Sequence, residues 1–325
     1  MSWTRLIVRA QPAGAFVNWP QSDTLAGKFF WAYRELLGEQ ALAELLDSHR
    51  VEPLIVFSTL FPEGTIPSPI LSISLPRPEN ESEYRLIKRI KAQRYVKADR
   101  LSEFVRTLRS TSKHGDISRL RELASRAEDD DVAIHTYSRL GNAISRTENT
   151  VIEGQLFSLP ETRLTSRVWF FVGFDSKRIE EPRVREVIRT MLISGIGKRK
   201  SAGYGSFDID SIEFTQDTLT DAHENPDAFL NLSVWVPSPS DPTEGTYSLA
   251  TKFARLGGDF SIQGYVAKKP FLYLVEGSVF RVSKEQKRPY FGMILDNVQV
   301  GLDTPVLQNT LSLPFYFAEE GGTTQ

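Results

Sequence analysis

The chain has 325 residues, of which 40% are hydrophobic and 25% charged, with a formal net charge of −2. This composition is typical of a globular protein and predicts two domains. The absence of cysteine excludes disulfides, thiolate metal sites and a cysteine nucleophile, and the near-neutral charge restricts nucleic-acid binding to a local basic patch.

Neither metal ligands nor membrane spans are indicated by the sequence. The histidines lack the H-x-x-x-H spacing of zinc sites, so we expect no metal and no cofactor. They are His49, His114, His135 and His223. Neither the N-terminal MSWTRLIVRAQPAG nor any later segment approaches the roughly 18 apolar residues of a membrane span, so we expect a cytoplasmic protein without a membrane partner.

The chain opens with a predicted strand and helix. Residues 4–10 alternate between apolar and polar side chains, as a strand does. Ser22 and Asp23 then predict a helix start, and apolar residues at helical spacing extend this helix toward His49 across Gly38.

Two strands and a basic helix are predicted next. Residues 51–61 predict a strand, and residues 66–75 an edge strand because their prolines cannot donate to a ladder. Residues 83–108 predict a helix, whose basic side chains indicate a solvated face. These basic residues are Arg85, Lys88, Arg89, Lys91, Arg94, Lys97 and Arg100.

The middle of the chain is polar. Residues 110–133 predict a mobile insertion, and their acidic run at 128–131 is more typical of a solvated linker than of a cation site. Residues 135–159 mix Arg139 and Arg146 with small and β-branched residues, which indicates an irregular arm or hairpin.

Three further elements complete the first unit. Residues 167–174 predict a strand, residues 182–194 a helix with proline in its first turn, and residues 207–214 an alternating strand. Placed after the earlier strand, helix and two strands, they predict a split β-α-β unit of ferredoxin-like type.

The predicted fold class is α+β, with two ferredoxin-like (RRM-like) domains, a glycine-rich loop and an inserted arm. The first domain comprises residues 1–216 with an insertion at about 80–160, and the smaller second domain comprises residues 217–325. Residues 247–256 predict a helix in the second domain. Its predicted strands are 230–236, 260–265, 271–275, 279–282 and 311–317.

The stretch GIGKRKSAGYGSF, residues 195–207, carries four glycines and three consecutive basic residues. It fails the Walker A pattern because Arg199 follows Gly197-Lys198 where Ser or Thr is needed. It fails the dinucleotide pattern because Lys200 occupies the third glycine position and the loop follows a helix instead of a strand.

Contact with RNA is the function that this loop predicts. Its glycines, Gly195, Gly197, Gly203 and Gly205, allow positive φ and close backbone approach, although Gly195 also fits a helix C-terminal cap. Lys198, Arg199 and Lys200 supply charge for a phosphodiester chain, and Tyr204 offers a stacking surface.

The segment G-x-G-[KR]-x-x-S-x-G-x-G, between the last helix and last strand of the first unit, resembles the glycine-rich loop of the RAMP superfamily of CRISPR proteins. Within that superfamily the chain is similar to the fourth Csm subunit, the Cas-five-like subunit of type III-A effector complexes. The stretches that carry this similarity are SDTLAGKFFWAY, KRIKAQRYVKADRLSEF, SRTENTVIEGQLFSL and VEGSVFRV.

The resemblance implies a non-catalytic subunit of an RNA-guided antiviral complex. Such a subunit binds the 5′ tag of the crRNA, contacts the large polymerase-type subunit and a backbone RAMP subunit, and meets target RNA only indirectly. By position, the residues implied to contact the tag are Gly195, Gly197, Lys198, Arg199, Ser201, Gly203, Gly205, Ser22, Asp23 and Lys28, with Arg139 and Arg146 on the arm. Lys200 and Tyr204 complete the predicted RNA-binding set because of the charge and the stacking surface that they supply.

Three alternatives stay open at this level. The insertion at 110–133 and the tail after Phe317 do not match the family pattern, which leaves the subtypes III-B and III-D open. A related repeat-cutting endoribonuclease would use a histidine such as His49 as general base. An RNA-free scaffold would pair the basic triplet with acidic residues of a partner.

Overall fold

The computed structural model describes residues 3–129, 134–145, 147–148, 150–216, 226–257, 267–301 and 305–319. Arg146, His223, the end of the acidic run and the predicted strand at 260–265 lie outside these residues. Within them the predicted mixture of helices and strands is confirmed.

The helices and strands alternate along the chain. The helices are α1 (Ser22–Leu37), α2 (Glu39–Val51), α3 (Glu81–Ala92), α4 (Leu101–His114), α5 (Ser118–Asp129) and α6 (Glu181–Ile193). The strands are β1 (Trp3–Pro12), β2 (Ile55–Phe57), β3 (Phe61–Pro62), β4 (Thr65–Pro67), β5 (Tyr95–Lys97), β6 (Ile134–Ile144), β7 (Val151–Leu164), β8 (Val168–Asp175), β9 (Phe207–Gln216), β10 (Ala228–Asn231), β11 (Gly245–Thr246), β12 (Leu249–Lys252), β13 (Phe271–Leu274), β14 (Val279–Arg281), β15 (Phe291–Leu295), β16 (Gln308–Ser312) and β17 (Pro314–Phe317).

The first sheet is antiparallel and has the strand order β2-β8-β1-β9, with β3 also paired to β8. Helix α1 connects β1 to the β2 region, and α6 connects β8 to β9. The two helices pack together on one face of the sheet. This is the β-α-β-β-α-β arrangement that the sequence predicts.

Both faces of the first sheet are covered. Leu6 and Val8 of β1 pack with α1 and α6, whereas Ile7 between them packs in a second core. Strand β8 is buried along its whole length. Its sequence, VWFFVGFD, is almost continuously apolar because alternate side chains enter two different cores.

The predicted long first helix is two helices. Gly38 ends α1 with a φ of +90°, its N–H donates to the carbonyl oxygen of Arg34 at 2.8 Å, and α2 begins at the next residue. Val51, predicted to open a strand, is the last residue of α2. The strand at 51–61 is therefore shorter than predicted and lies in β2, followed by β3.

The insertion is folded. The predicted helix at 83–108 is interrupted by β5, which pairs with β4, and β4 is all that forms of the predicted edge strand at 66–75. Residues 110–129, predicted to be mobile, continue α4 and form α5. Leu120 of α5 is 0% exposed, because α3, α4 and α5 pack on the second core.

The second sheet is antiparallel with the order β11-β14-β10-β17. The strands predicted at 271–275, 279–282 and 311–317 are present as β13, β14 and the β16–β17 region, while the predicted strand at 230–236 is reduced to β10. The predicted helix at 247–256 is wrong, because its residues form β12, paired with β13.

The second core joins the two sheets. Residues of β10 and β17 pack with the outer face of the first sheet and with α3, α4 and α5. Across 226–257, 267–301 and 305–319 there is no α-helix, so the helices that pack against this sheet come from the insertion. The division into domains at residue 216 stays a prediction. Among the described helices, none is both long and apolar enough to span a bilayer.

Candidate nucleic-acid interface

The Gly-rich loop, residues 195–205, begins where α6 ends. The N–H of Gly195 donates to the carbonyl oxygen of Leu192 at 3.1 Å, and the φ of Gly195 is +73°, so this residue closes the helix. Ile196 is 1% exposed and packs in the core beneath the first sheet. The loop is therefore anchored at its start.

The end of the loop is held by backbone contacts that leave no room for a side chain. The N–H of Ile196 donates to the carbonyl oxygen of Gly205 at 2.9 Å. The N–H of Gly205 in turn donates to the carbonyl oxygen of Ala15 at 2.8 Å. A Cβ atom at Gly205 would lie 1.9 Å from the Ile196 oxygen, and one at Gly14 would lie 2.1 Å from the Gly203 oxygen. The loop is thereby closed against the segment that leads into α1.

Between these anchors the three predicted cations, Lys198, Arg199 and Lys200, are exposed. None of them forms an ion pair with a carboxylate in the part of the chain that the structure describes. The guanidinium of Arg199 lies over the ring of Phe157 in β7, 5.1 Å from the ring centroid. Ser201 is also exposed.

Helix α1 places a fourth cation beside the loop. Lys28, only 9% exposed, lies next to the ammonium group of Lys200. Burial and, second, the charge of Lys200 lower the pKa of Lys28 to about 8, an effect that Glu35 offsets in part. Two adjacent ammonium groups, one of them largely buried, make a site that an anion would stabilise.

The arm is the antiparallel pair β6 and β7, which extends from the pair Ile134 and Leu164 to the pair Ile144 and Val151. It exposes apolar side chains that a globular core would normally bury. These are Tyr137, Leu140, Ile144, Val151, Ile152, Leu156 and Phe157. Arg139 is exposed on β6, whereas Arg146 lies outside the described residues.

Tyr204 joins the loop to the arm. It is 7% exposed, and its hydroxyl donates to the carboxylate of Glu161 on β7. Arg139 lies 3.7 Å from the same carboxylate and 3.5 Å from the Tyr204 hydroxyl. A buried, hydrogen-bonded tyrosine offers no free face, which opposes the predicted stacking role. Glu161 was not predicted from the sequence, where its only signal is a charged residue near the end of a long strand.

Ser22 and Asp23 are engaged within the protein. Ser22 is 4% exposed, and its hydroxyl accepts a hydrogen bond from the N–H of Val234 at 2.8 Å. The carboxylate of Asp23 accepts from Lys252 at 2.7 Å and from Gln308 at 2.9 Å. These contacts tie α1 to the C-terminal half of the chain and oppose the predicted role of both residues in lining an RNA site.

His49 is a structural residue. It is 1% exposed, its Nδ1 accepts from the N–H of Leu54 at 2.9 Å, and its ring packs edge-on against Phe30. Burial and, second, the charge of Arg178 lower its pKa to about 3. A general base needs access to substrate and a pKa near the working pH, and His49 has neither. Among the described side chains, no cluster of three or more potential ligands could hold a metal ion.

Lowering the pH from 7 to 5 is expected to destabilise the folded chain by about 2 kcal/mol through His49 alone. The pKa of His49 is about 3 in the folded chain, below its ordinary value of 6.5, so the unfolded chain binds the proton first. Stability is therefore lost as the pH falls through 6.5. Denaturant unfolding at both pH values measures this loss, which should shrink in His49→Asn; an equal loss in both proteins would contradict the assignment.

No family model matches the sequence, and no curated protein is similar to it in sequence.

Solved structures share the fold. A crystal structure of a Csm1-Csm4 cassette in complex with pppApA is 16% identical with a TM-score of 0.58, and the match covers 97% of this chain and 97% of that chain. The Csm3-Csm4 subcomplex of a type III-A CRISPR-Cas interference complex is 16% identical with a TM-score of 0.54, covering 94% of this chain and 98% of that chain. The matched chains are Csm4 subunits. The chain therefore has the fold of these Csm4 subunits over nearly its full length.

Proposed function

We propose that this chain is the subunit of a type III CRISPR-Cas effector complex that binds the 5′ tag of the crRNA, and that it does so without catalysis. Two independent findings support the proposal. The fold of Csm4 covers nearly the whole chain, and the loop between α6 and β9 exposes three consecutive cations.

The observation that carries the proposal is the position of Lys28 beside Lys200 at the Gly-rich loop. Lys28, Lys198 and Lys200 form no ion pair with a carboxylate within the described ranges. A phosphodiester bound beside these ammonium groups would neutralise their mutual repulsion. An open loop accommodates a chain of such phosphates better than a closed pocket would.

The arm favours an extended strand of RNA as the ligand, in preference to a free phosphate. Leu140 and Leu156 are 66% and 65% exposed, and both belong to the pair of strands that contacts the loop through Tyr204 and Arg199. Apolar side chains next to a cationic groove provide contact surface for bases while the cations bind the backbone. The proposed path therefore passes from the loop along the arm.

The same comparison supports the proposed partners. The solved Csm4 chains are described in assemblies with Csm1 and with Csm3. We infer that this chain bridges the large polymerase-type subunit and a backbone subunit, and that target RNA is met only through the guide. The buried, neutral state of His49 opposes the endoribonuclease alternative. The RNA-free scaffold differs from the proposal in that its cations would bind acidic side chains.

Binding of tag RNA is expected to weaken as the pH rises through 8. Lys28 has a pKa of about 8 in the free protein, so it is charged below pH 8 and loses its proton above it. A bound phosphate raises this pKa again, so binding takes up a proton, and affinity should fall about tenfold between pH 7.5 and pH 9. Fluorescence anisotropy of a labelled tag oligoribonucleotide at fixed ionic strength measures this.

Lys28→Arg is the matched control for that experiment. Arginine keeps its charge throughout this pH range, so the variant should bind with an affinity that hardly changes between pH 7.5 and pH 9. The same tenfold fall in both proteins would remove Lys28 from the RNA site.

A further inference from the structure

An open cavity of about 520 Å³ lies apart from the Gly-rich loop, between the segment before α1, strand β5 and the turn after β13. Its walls include the aromatic rings of Trp19 and Tyr95. Trp19 is held in place because its Nε1–H donates to the carbonyl oxygen of Leu60 at 2.5 Å. Aromatic walls and a volume of a few hundred Å³ are typical of a small-molecule or nucleobase site.

The cavity also contains a carboxylate bonded only by neutral groups. Glu276 accepts hydrogen bonds from the Thr59 hydroxyl and, at 3.1 Å, from Nε2 of Gln21. Lys252 donates to Oε1 of Gln21 at 2.6 Å, which fixes the amide so that its NH₂ group faces Glu276. No cation pairs with Glu276 in the described part of the chain, so the carboxylate retains capacity to accept from a ligand N–H.

Cationic and phenolic groups complete the lining. Arg94 is exposed at the cavity and forms no ion pair among the residues described, which leaves its guanidinium available to a phosphate. Burial raises the pKa of Tyr95 to about 12, so its hydroxyl stays protonated and can donate. The cavity thus offers ring faces, an acceptor for N–H groups and a cation.

The cavity is close to the Gly-rich loop along the chain. Gly205 donates to the carbonyl oxygen of Ala15, and Trp19 follows four residues later. Four residues span at most about 14 Å. The ring of Phe16, between them, contacts the Trp19 ring at 5.5 Å. A strand of RNA held at the loop therefore reaches the cavity within a few nucleotides.

We propose that this cavity binds one unstacked nucleobase of the RNA held by the Gly-rich loop, between Trp19 and Tyr95, and that the base carries an exocyclic amine that donates to Glu276. The phosphate of the same or the neighbouring nucleotide binds Arg94. Uracil, which presents carbonyl oxygens beside its single N–H, repels the carboxylate, so the cavity selects adenine, cytosine or guanine. This inference rests on the proposed function, because the loop must deliver the RNA.

The test uses the full-length chain and a 3′-labelled oligoribonucleotide with the sequence of the repeat-derived 5′ tag. Each position is replaced in turn by an abasic ribose and then by each other base. One position is expected to lose about tenfold in affinity when abasic, and at that position the wild type should disfavour uridine. Glu276→Gln should reduce this discrimination against uridine to less than about twofold.

Arg94→Ala keeps the test available if Glu276→Gln does not fold. It should weaken binding and reduce the salt dependence, whereas Arg85→Ala, an exposed arginine on α3 that pairs with Glu81, should leave both unchanged. If every abasic RNA binds with the same affinity, and that binding still depends on Lys198, Arg199 and Lys200, the cavity is not a nucleobase site, whereas the proposed function stands. RNA binding that does not depend on those three cations would overturn both.

Discussion

Replacing Lys198, Arg199 and Lys200 together by Ala is expected to weaken the binding of tag RNA about 100-fold at 0.1 M salt. Three contacts to phosphates of a single strand correspond to a salt slope of about two units, and two units amount to about 100-fold in affinity at 0.1 M relative to 1 M salt. The loop backbone should survive, because these side chains are exposed and form no ion pair among the described residues.

The measurement is a salt titration of RNA affinity for the wild type and the triple variant. A matched control removes three exposed cations from α3, namely Lys88, Arg89 and Lys91, so that the net charge changes equally. If the two triple variants lose affinity and salt slope to the same extent, the Gly-rich loop has no special role and only overall charge matters.

Gly205→Ala is expected to destabilise the first unit by about 4 kcal/mol or more, and to abolish RNA binding through the loop. The added Cβ would lie 1.9 Å from the carbonyl oxygen of Ile196, and the φ of +64° already disfavours any side chain. Either the hydrogen bond between these two residues breaks or Ile196 leaves the core. Denaturant unfolding and RNA affinity both report the change.

Gly203→Ala separates the effect of positive φ from the effect of the close contact with a neighbouring backbone. Its φ is +82°, yet a Cβ there meets nothing within 4 Å. The Gly203→Ala variant should therefore lose only about 1 to 2 kcal/mol of folding stability, which is the cost of a left-handed backbone with a side chain. If both substitutions cost the same, the close approach of Gly205 to Ile196 contributes nothing.

The first unit could be predicted from the sequence because its periodicities are long and undisturbed. The strand at 167–174 and the helix at 182–194 are bounded by turn residues and carry one pattern each, and both are present within about two residues. Their order then predicts the sheet, since a split β-α-β unit has a single common topology.

The insertion and the C-terminal half could not be predicted in the same way. The basic helix at 83–108 has good helical spacing on both sides of Val96, but pairing with β4 converts Val96 and its neighbours to a strand. The helix predicted at 247–256 has residues of reasonable helix propensity, yet pairing with β13 determines its structure. In both cases the decisive contact is distant in sequence.

The candidate site shows the same division. Spacing and composition identified the exposed cations and the helix cap at Gly195. The sequence could not show that Tyr204 and Ser22 are buried with partners, because Glu161 and Val234 are far from them along the chain. Lys28 was implied only by resemblance, and its contact with Lys200 comes from the packing of α1 beside the loop.

The most direct test of the account is to purify this chain with the products of its neighbouring genes, crosslink the complex and sequence the 5′ ends of the bound RNA. If the chain binds the tag, the RNA carries a uniform, repeat-derived 5′ tag that crosslinks to residues 195–205, and a large polymerase-type subunit and a backbone subunit are purified with it. An RNA-free complex, or RNA with heterogeneous ends and no crosslink at the Gly-rich loop, would contradict it.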